Sequence, residues 1–316
     1  MKFEQAWLDY TGKVFCDGAD EISYIHLEIQ EKEQDEVIKN SVKELQNAFA
    51  GLTGHKLTLH EEGLSGGDEA AYAAADAGAG LHKIRLVLQK GMPAESYRLY
   101  TEENGITIEA SDSRGILYGA FDLIRQVKTG NSIKDLDRTK SPVMPMRMLN
   151  HWDNMDGSIE RGYSGESFFF ENNTILVNDR TDTYARLAAS VGINAVVINN
   201  VNVKDAATWL ITERYLDKVK ELSDVLAGYG IQMYMSLNYA APVELGELDS
   251  ADPLSEDVRG WWKRRMEFVF RKVPNLGGFL IKADSEGRPG PFTYGRTHAD
   301  GANMLAEAVA PYGGNI

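Results

Sequence analysis

Three polar stretches of the 316-residue chain gather the side chains that could act on a ligand. The first runs from Met148 to Tyr163 (MLNHWDNMDGSIERGY), the second from Ser236 to Pro242 (SLNYAAP) and the third from Lys282 to Pro291 (KADSEGRPGP). Glu286 is placed to protonate a glycosidic oxygen, because a strand-end carboxyl partly shielded from water has its pKa raised toward the working pH. Asp284 competes for that role, and either acid could be spent instead in an ion pair with Lys282 or Arg288. Trp152 offers a face for stacking on a sugar ring, and His151, His298, Asp153 and Asn238 offer hydrogen bonds to hydroxyls. Lys282, four positions before the acid, and Arg296 suit an anionic group on such a ligand. The plain alternatives are a solvated loop glutamate at 286, a core place for Trp152 and structural duty for the histidines.

Other chemistries lack their residues. No G-x-x-x-x-G-K-S/T phosphate loop, H-E-x-x-H zinc pair or G-x-S-x-G elbow occurs, and Gly277, Gly278 and Gly287 do not make a dinucleotide fingerprint. Cys16 is the single cysteine, which excludes an intrachain disulfide and a cysteine-rich zinc site. The formal net charge of −14 argues against nucleic acid or an anionic membrane as partner, since both need a basic face. No apolar run approaches the ~20 residues that span a bilayer. The amino terminus carries Glu4 and Asp9 and no apolar core, so it does not read as a secretory signal, and a cytoplasmic setting is the simplest expectation. Asn172-Asn173-Thr174 matches a glycosylation acceptor, a pattern common by chance. Trp261 and Trp262, followed by Lys263, Arg264 and Arg265, read as a helix with one buried ring and a solvated basic face.

The elements that must position the three stretches follow from periodicity. Residues 1–140 read as an α+β unit. Asp35–Phe49 carries helical spacing with Gly51 as a stop, and Ser113 caps a second helix through Val127. Lys56–Glu61, Lys83–Gln89, Ser96–Glu102 and Gly105–Ala110 read as strands, the last two joined by an Asn-Gly turn. Gly63–Gly80 reads as a loop, and Thr139, Pro142 and Pro145 as a linker. Residues 141–316 change rhythm. Strands at Met146–Asn150, Ala195–Asn200, Gln232–Asn238 and Gly278–Lys282 alternate with helices at Asp182–Val191, Tyr215–Tyr229, Val258–Arg271 and Asp300–Ala310, the pattern of a parallel α/β domain. Four such units expose a parallel edge, so half of a (β/α)8 barrel, truncated after about four units, is expected over a small open sheet. In a barrel the working groups lie at the carboxyl ends of the strands, which is where all three polar stretches fall.

The wording of these stretches resembles that of the α-glucuronidases of glycoside hydrolase family 67. RMLNHWDNMDGSIERGYSG (147–165), NYAAPVELGELDSADPLSEDVRGWW (238–262), GGFLIKADSEGRPGP (277–291) and YGRTHADGANMLAEA (294–308) carry the resemblance, and the amino-terminal unit resembles the family's accessory domain. The resemblance implies inverting hydrolysis of the α-1,2 bond between (4-O-methyl-)glucuronic acid and the xylose of glucuronoxylan-derived xylooligosaccharides, with no cofactor or metal. It implies Glu286 as general acid, Lys282 as a contact of the uronate and Trp152 as the aromatic residue packed on it. It places the base carboxylates on strands beyond Ile316, followed by a helical domain that often mediates homodimerisation. A non-catalytic remnant that binds the uronate or xylooligosaccharide is the alternative.

Overall fold

The computed structural model describes residues 6–30, 34–61, 80–285 and 287–316, so Glu286 and most of the loop expected at 63–80 lie outside the described residues. The chain divides into two compact units, Met1–Pro145 with Arg186–Gly192 and Gly228–Gly230, and Met146–Ala185 with Ile193–Ala227 and Ile231–Ile316.

The first unit is built on a six-stranded sheet. Its strands are β1 (Tyr24–Glu28), β2 (Thr58–Glu61), β3 (Lys83–Leu88), β4 (Tyr97–Glu102), β5 (Gly105–Ala110) and β6 (Asp137–Lys140), in the order β2-β1-β3-β5-β4-β6. Ile25, Leu27, Ile84, Leu86, Ile106 and Ile108 alternate with polar residues and are buried, which is the period-two signature of a sheet with one face on the core. On the other face Arg85 bonds Glu28 at 2.7 Å and Glu102 at 2.9 Å. Two of these strands are absent from the periodicity reading. β1 alternates clearly, whereas β6 has no apolar residue and exists because its backbone pairs with β4; Thr139 pairs with Arg98 there and is not part of a linker.

The helices α1 (Glu36–Leu52) and α2 (Ser113–Lys128) each start on an aspartate. Asp35 accepts from the Ile38 amide, and Asp112, not Ser113, accepts from the Gly115 amide. Gly51 does not stop α1. The helix runs through it, and a Cβ there would lie 2.3 Å from the Tyr10 carbonyl oxygen, so this glycine serves a close approach of backbone.

The second unit contains the strands β7 (Met148–Asn150), β10 (Ala195–Val197), β11 (Gln232–Leu237) and β12 (Leu276–Ile281), all parallel and adjacent in chain order. Between β7 and β10 lie a short hairpin, β8 (Phe170–Glu171) and β9 (Thr174–Ile175), and α3 (Asp179–Ser190). The helices α4 (Leu216–Ala227), α5 (Ala241–Glu244), α6 (Glu256–Lys272) and α7 (His298–Val309) complete the alternation. Ala195, Val197 and Tyr234, with Met148 and Leu280, form a small apolar cluster on the sheet. After α7 the chain returns to the sheet, where Asn315 pairs in parallel with Gly278 beside β12. Gly278 holds φ at +143°, and a Cβ there would lie 2.0 Å from the Asn315 carbonyl oxygen.

Two local expectations are corrected here. Both Trp261 and Trp262 are buried; Trp261 donates its indole N–H to Glu247, and Arg265 lies over its ring. Asn172 and Asn173, with φ of 50° and 58°, form the tight turn between β8 and β9, because asparagine tolerates the left-handed backbone such a turn requires.

Candidate active site

A cavity of about 720 Å³ opens at the carboxyl ends of β7, β10, β11 and β12. Parallel strands with intervening helices send every strand end the same way, so each following loop supplies part of one wall. The loop after β7 contributes Asp153–Asp156 and Glu160, the loop after β10 Asn200–Ala207, the end of β11 Asn238 and Tyr239, and the loop after β12 Lys282, Ser285 and Arg288. The size suits one or two sugar rings.

Of the residues expected to act on a ligand, Asp153, Asn238 and Lys282 line this cavity. Asp153 is 1% exposed, and its Oδ2 accepts from the Ser167 hydroxyl and the Phe168 amide. Asn238, 5% exposed, donates to Thr208 Oγ1 at 3.0 Å and accepts from the Ala240 amide at 2.9 Å. Lys282 donates to Asn202 Oδ1 at 2.8 Å.

His151, Trp152, Arg296 and His298 lie outside that lining. His151 is held between Asp153, whose Oδ1 is 3.6 Å from its Nδ1, and the Tyr184 hydroxyl, 2.6 Å from its Nε2. Burial first, and then the charge of Asp153, push the Tyr184 phenol well above its ordinary range, so it stays protonated. Trp152 is 36% exposed. Arg296 makes a two-pronged pair with Asp252, at 3.0 and 2.9 Å, which holds that carboxyl below the usual range. His298 meets Asp284 at 3.0 Å, stacks on Phe292 and lines a second, apolar cavity of about 390 Å³ with Leu280 and Leu305. Asp284 also accepts from the Phe292 amide, so its carboxylate is engaged within its own loop. Glu286 lies outside the described residues, between Ser285 and Arg288, which both line the main cavity.

Sequence reasoning missed several lining residues. Arg288 is paired with Glu244 at 2.7 Å. Asp156 is held below its ordinary range by bonds from the Ser158 hydroxyl and amide, with Lys204 adding to the effect. Glu160 adopts a left-handed backbone, φ 58°, and its Oε2 is buried with no hydrogen-bond partner among the described residues. The expectation that β10 reaches Asn200 hid the loop amides; the strand ends at Val197, and the run Asn199-Asn200-Val201-Asn202 was the available signal. Among the described residues, no group of three or more His, Cys, Asp or Glu could hold a metal ion, and no helix is long and apolar enough to cross a membrane.

Comparison with known proteins agrees with this arrangement at two levels. Residues 126–316 match the Glycosyl hydrolase family 67 middle domain, and residues 6–123 match the Glycosyl hydrolase family 67 N-terminus. A probable alpha-glucuronidase A of Aspergillus terreus is 38% identical over 283 residues, covering 88% of this chain and 33% of the relative. The alpha-glucuronidase A of Aspergillus tubingensis is 37% identical over 310 residues, covering 98% of this chain and 36% of the relative. The chain therefore spans about a third of the length of these relatives. Among solved structures, a GH138 enzyme targeting pectin rhamnogalacturonan II superposes with a TM-score of 0.60 at 14% identity, covering 92% of this chain and 42% of that one. A GH115 4-O-methyl-alpha-glucuronidase superposes with a TM-score of 0.55 at 14% identity, over 95% of this chain and 40% of that one. At such identities these two share the fold alone. The two family matches between them cover nearly the whole chain, and the chain belongs to glycosyl hydrolase family 67.

Proposed function

We propose that the chain carries the accessory domain and the first four β/α units of a (β/α)8 barrel from an α-glucuronidase. The enzyme would release (4-O-methyl-)glucuronic acid from its α-1,2 bond to the xylose of glucuronoxylan-derived oligosaccharides, with inversion. The sequential order of the parallel strands supports the barrel, as does Asn315 lying beside β12, where a fifth strand would run. The observation that carries the function is the cavity at the strand ends, with the Lys282 ammonium in its wall and the position of Glu286 flanked by two of its lining residues. A cation there suits the carboxylate of a uronate, and amides such as that of Asn200 suit its hydroxyls. Glu286 is the proposed general acid. An inverting hydrolase also needs a base across a gap of ~6.5–9.5 Å, which the family resemblance places on later strands.

The test is Glu286→Gln in a form of the protein that releases glucuronic acid. Turnover of the natural oligosaccharide should fall by about 10²–10⁴-fold, the usual contribution of a general acid, while an aryl glucuronide with a good leaving group should lose less. Near-normal turnover of the natural substrate would remove Glu286 from the role. Calorimetric titration of the 316-residue chain with aldotetraouronic acid, alongside a product assay, separates binding from cleavage.

A further inference from the structure

The segment that follows β10 has three asparagines within four positions, and each amide ties a different strand end. Asn199 exchanges bonds with Ser236 on β11, its Oδ1 accepting from the amide at 2.8 Å and its Nδ2 donating to the carbonyl at 3.2 Å. Asn200 donates to Asn154 Oδ1 at 3.0 Å, in the loop after β7. Asn202 Oδ1 accepts from Lys282 Nζ at 2.8 Å, at the end of β12. We propose that Asn202 is a positioning residue that sets the ligand preference of the cavity: its neutral amide fixes the Lys282 ammonium in the wall without cancelling any of its charge.

A lysine stem has many rotamers, and its ammonium is directional only when an acceptor holds it. A carboxylate at position 202 would hold it equally well and would also neutralise the charge that an anionic sugar is to meet. Other cations of the same wall do stand against acids. Arg288 is paired with Glu244 at 2.7 Å, Arg161 lies 3.7 Å from Glu160, and Lys204 lowers the pKa of Asp156. Against that background, a neutral acceptor for Lys282 favours a uronate over the neutral sugar of the same shape. The inference rests on the uronate reading of the cavity.

The experiment titrates the 316-residue chain with D-glucuronate and with D-glucose by calorimetry, for the unmodified protein and for Asn202→Asp, Asn202→Gln and Lys282→Met. Melting curves confirm that each variant is folded; Asn202→Asp is nearly isosteric. The unmodified chain should prefer glucuronate. Asn202→Asp should weaken glucuronate binding about tenfold while changing glucose binding by less than about twofold, because only the charged ligand meets the altered field. Asn202→Gln, a neutral acceptor, should keep most of the preference. If Asn202→Asp keeps the original ratio while Lys282→Met abolishes it, the role of Asn202 is wrong and the uronate reading stands. Equal losses for both ligands in Asn202→Asp would make Asn202 merely structural. An unmodified chain that does not prefer glucuronate overturns both the uronate reading and this one.

Discussion

Asp153 illustrates how burial reassigns a residue type. It lines the cavity, yet its Oδ2 is filled by the Ser167 hydroxyl and the Phe168 amide, so it ties the loop after β7 to the segment before β8. Removing it leaves donors unpaired in a dry site. Asp153→Ala should therefore destabilise the protein by about 2–4 kcal/mol in chemical denaturation, and Asp153→Asn, which keeps an acceptor oxygen, by less. A loss of ligand binding with unchanged stability would return Asp153 to direct recognition. Its neighbours follow the same logic, His151 being taken up by Tyr184 and Arg296 by Asp252.

At the scale of the element, ends and turns decide more than interiors do. The β8–β9 hairpin turns on Asn172 and Asn173, both in the left-handed region, and Asn173 reaches the cavity wall. Alanine at either position should cost about 1 kcal/mol, since its Cβ meets the following carbonyl oxygen there, and glycine should be tolerated. Thermal melts of the four single variants read this directly. A melt unchanged by alanine would mean that the turn relaxes to a different type.

Across the whole molecule, the carboxylates with resolved shifts among the described residues all move the same way. Glu21, Glu28, Asp137, Asp156, Asp252 and Asp300 are held below their ordinary values, Glu28 by its bonds from Arg85 and Asp252 by those from Arg296. A depressed folded-state pKa contributes stability that is complete above the unfolded value of ~4 and is lost as pH falls through the lower folded value. The urea midpoint should thus stay level from pH 7 to about 5 and fall steeply below about pH 4. Protonation also relieves the self-repulsion of a −14 chain, but that effect is long-range and is screened at 0.15 M salt, whereas contact pairs are not. Glu28→Gln should make the acid limb shallower. An acid limb of unchanged slope would show that the Arg85 pair contributes nothing in this range.

The sequence by itself determined the alternation of strand and helix, because apolar side chains at periods of 2 and 3.6 residues can be buried in few other ways. It determined the family, through long polar stretches at strand ends, and it determined that these stretches meet, since parallel strands joined by helices all end on one side. Tertiary structure decided the rest. β6 is a strand only through its pairing with β4, and Gly51 is helical only because the Tyr10 carbonyl needs its missing Cβ. Which side chains enter the cavity was likewise invisible in the order of residues. Glu160, Asp205 and Asp284 bend their loops through left-handed backbone, with φ of 58°, 49° and 53°. A loop held in that way takes its direction from the partners that strain it into place, and those partners lie on other strands.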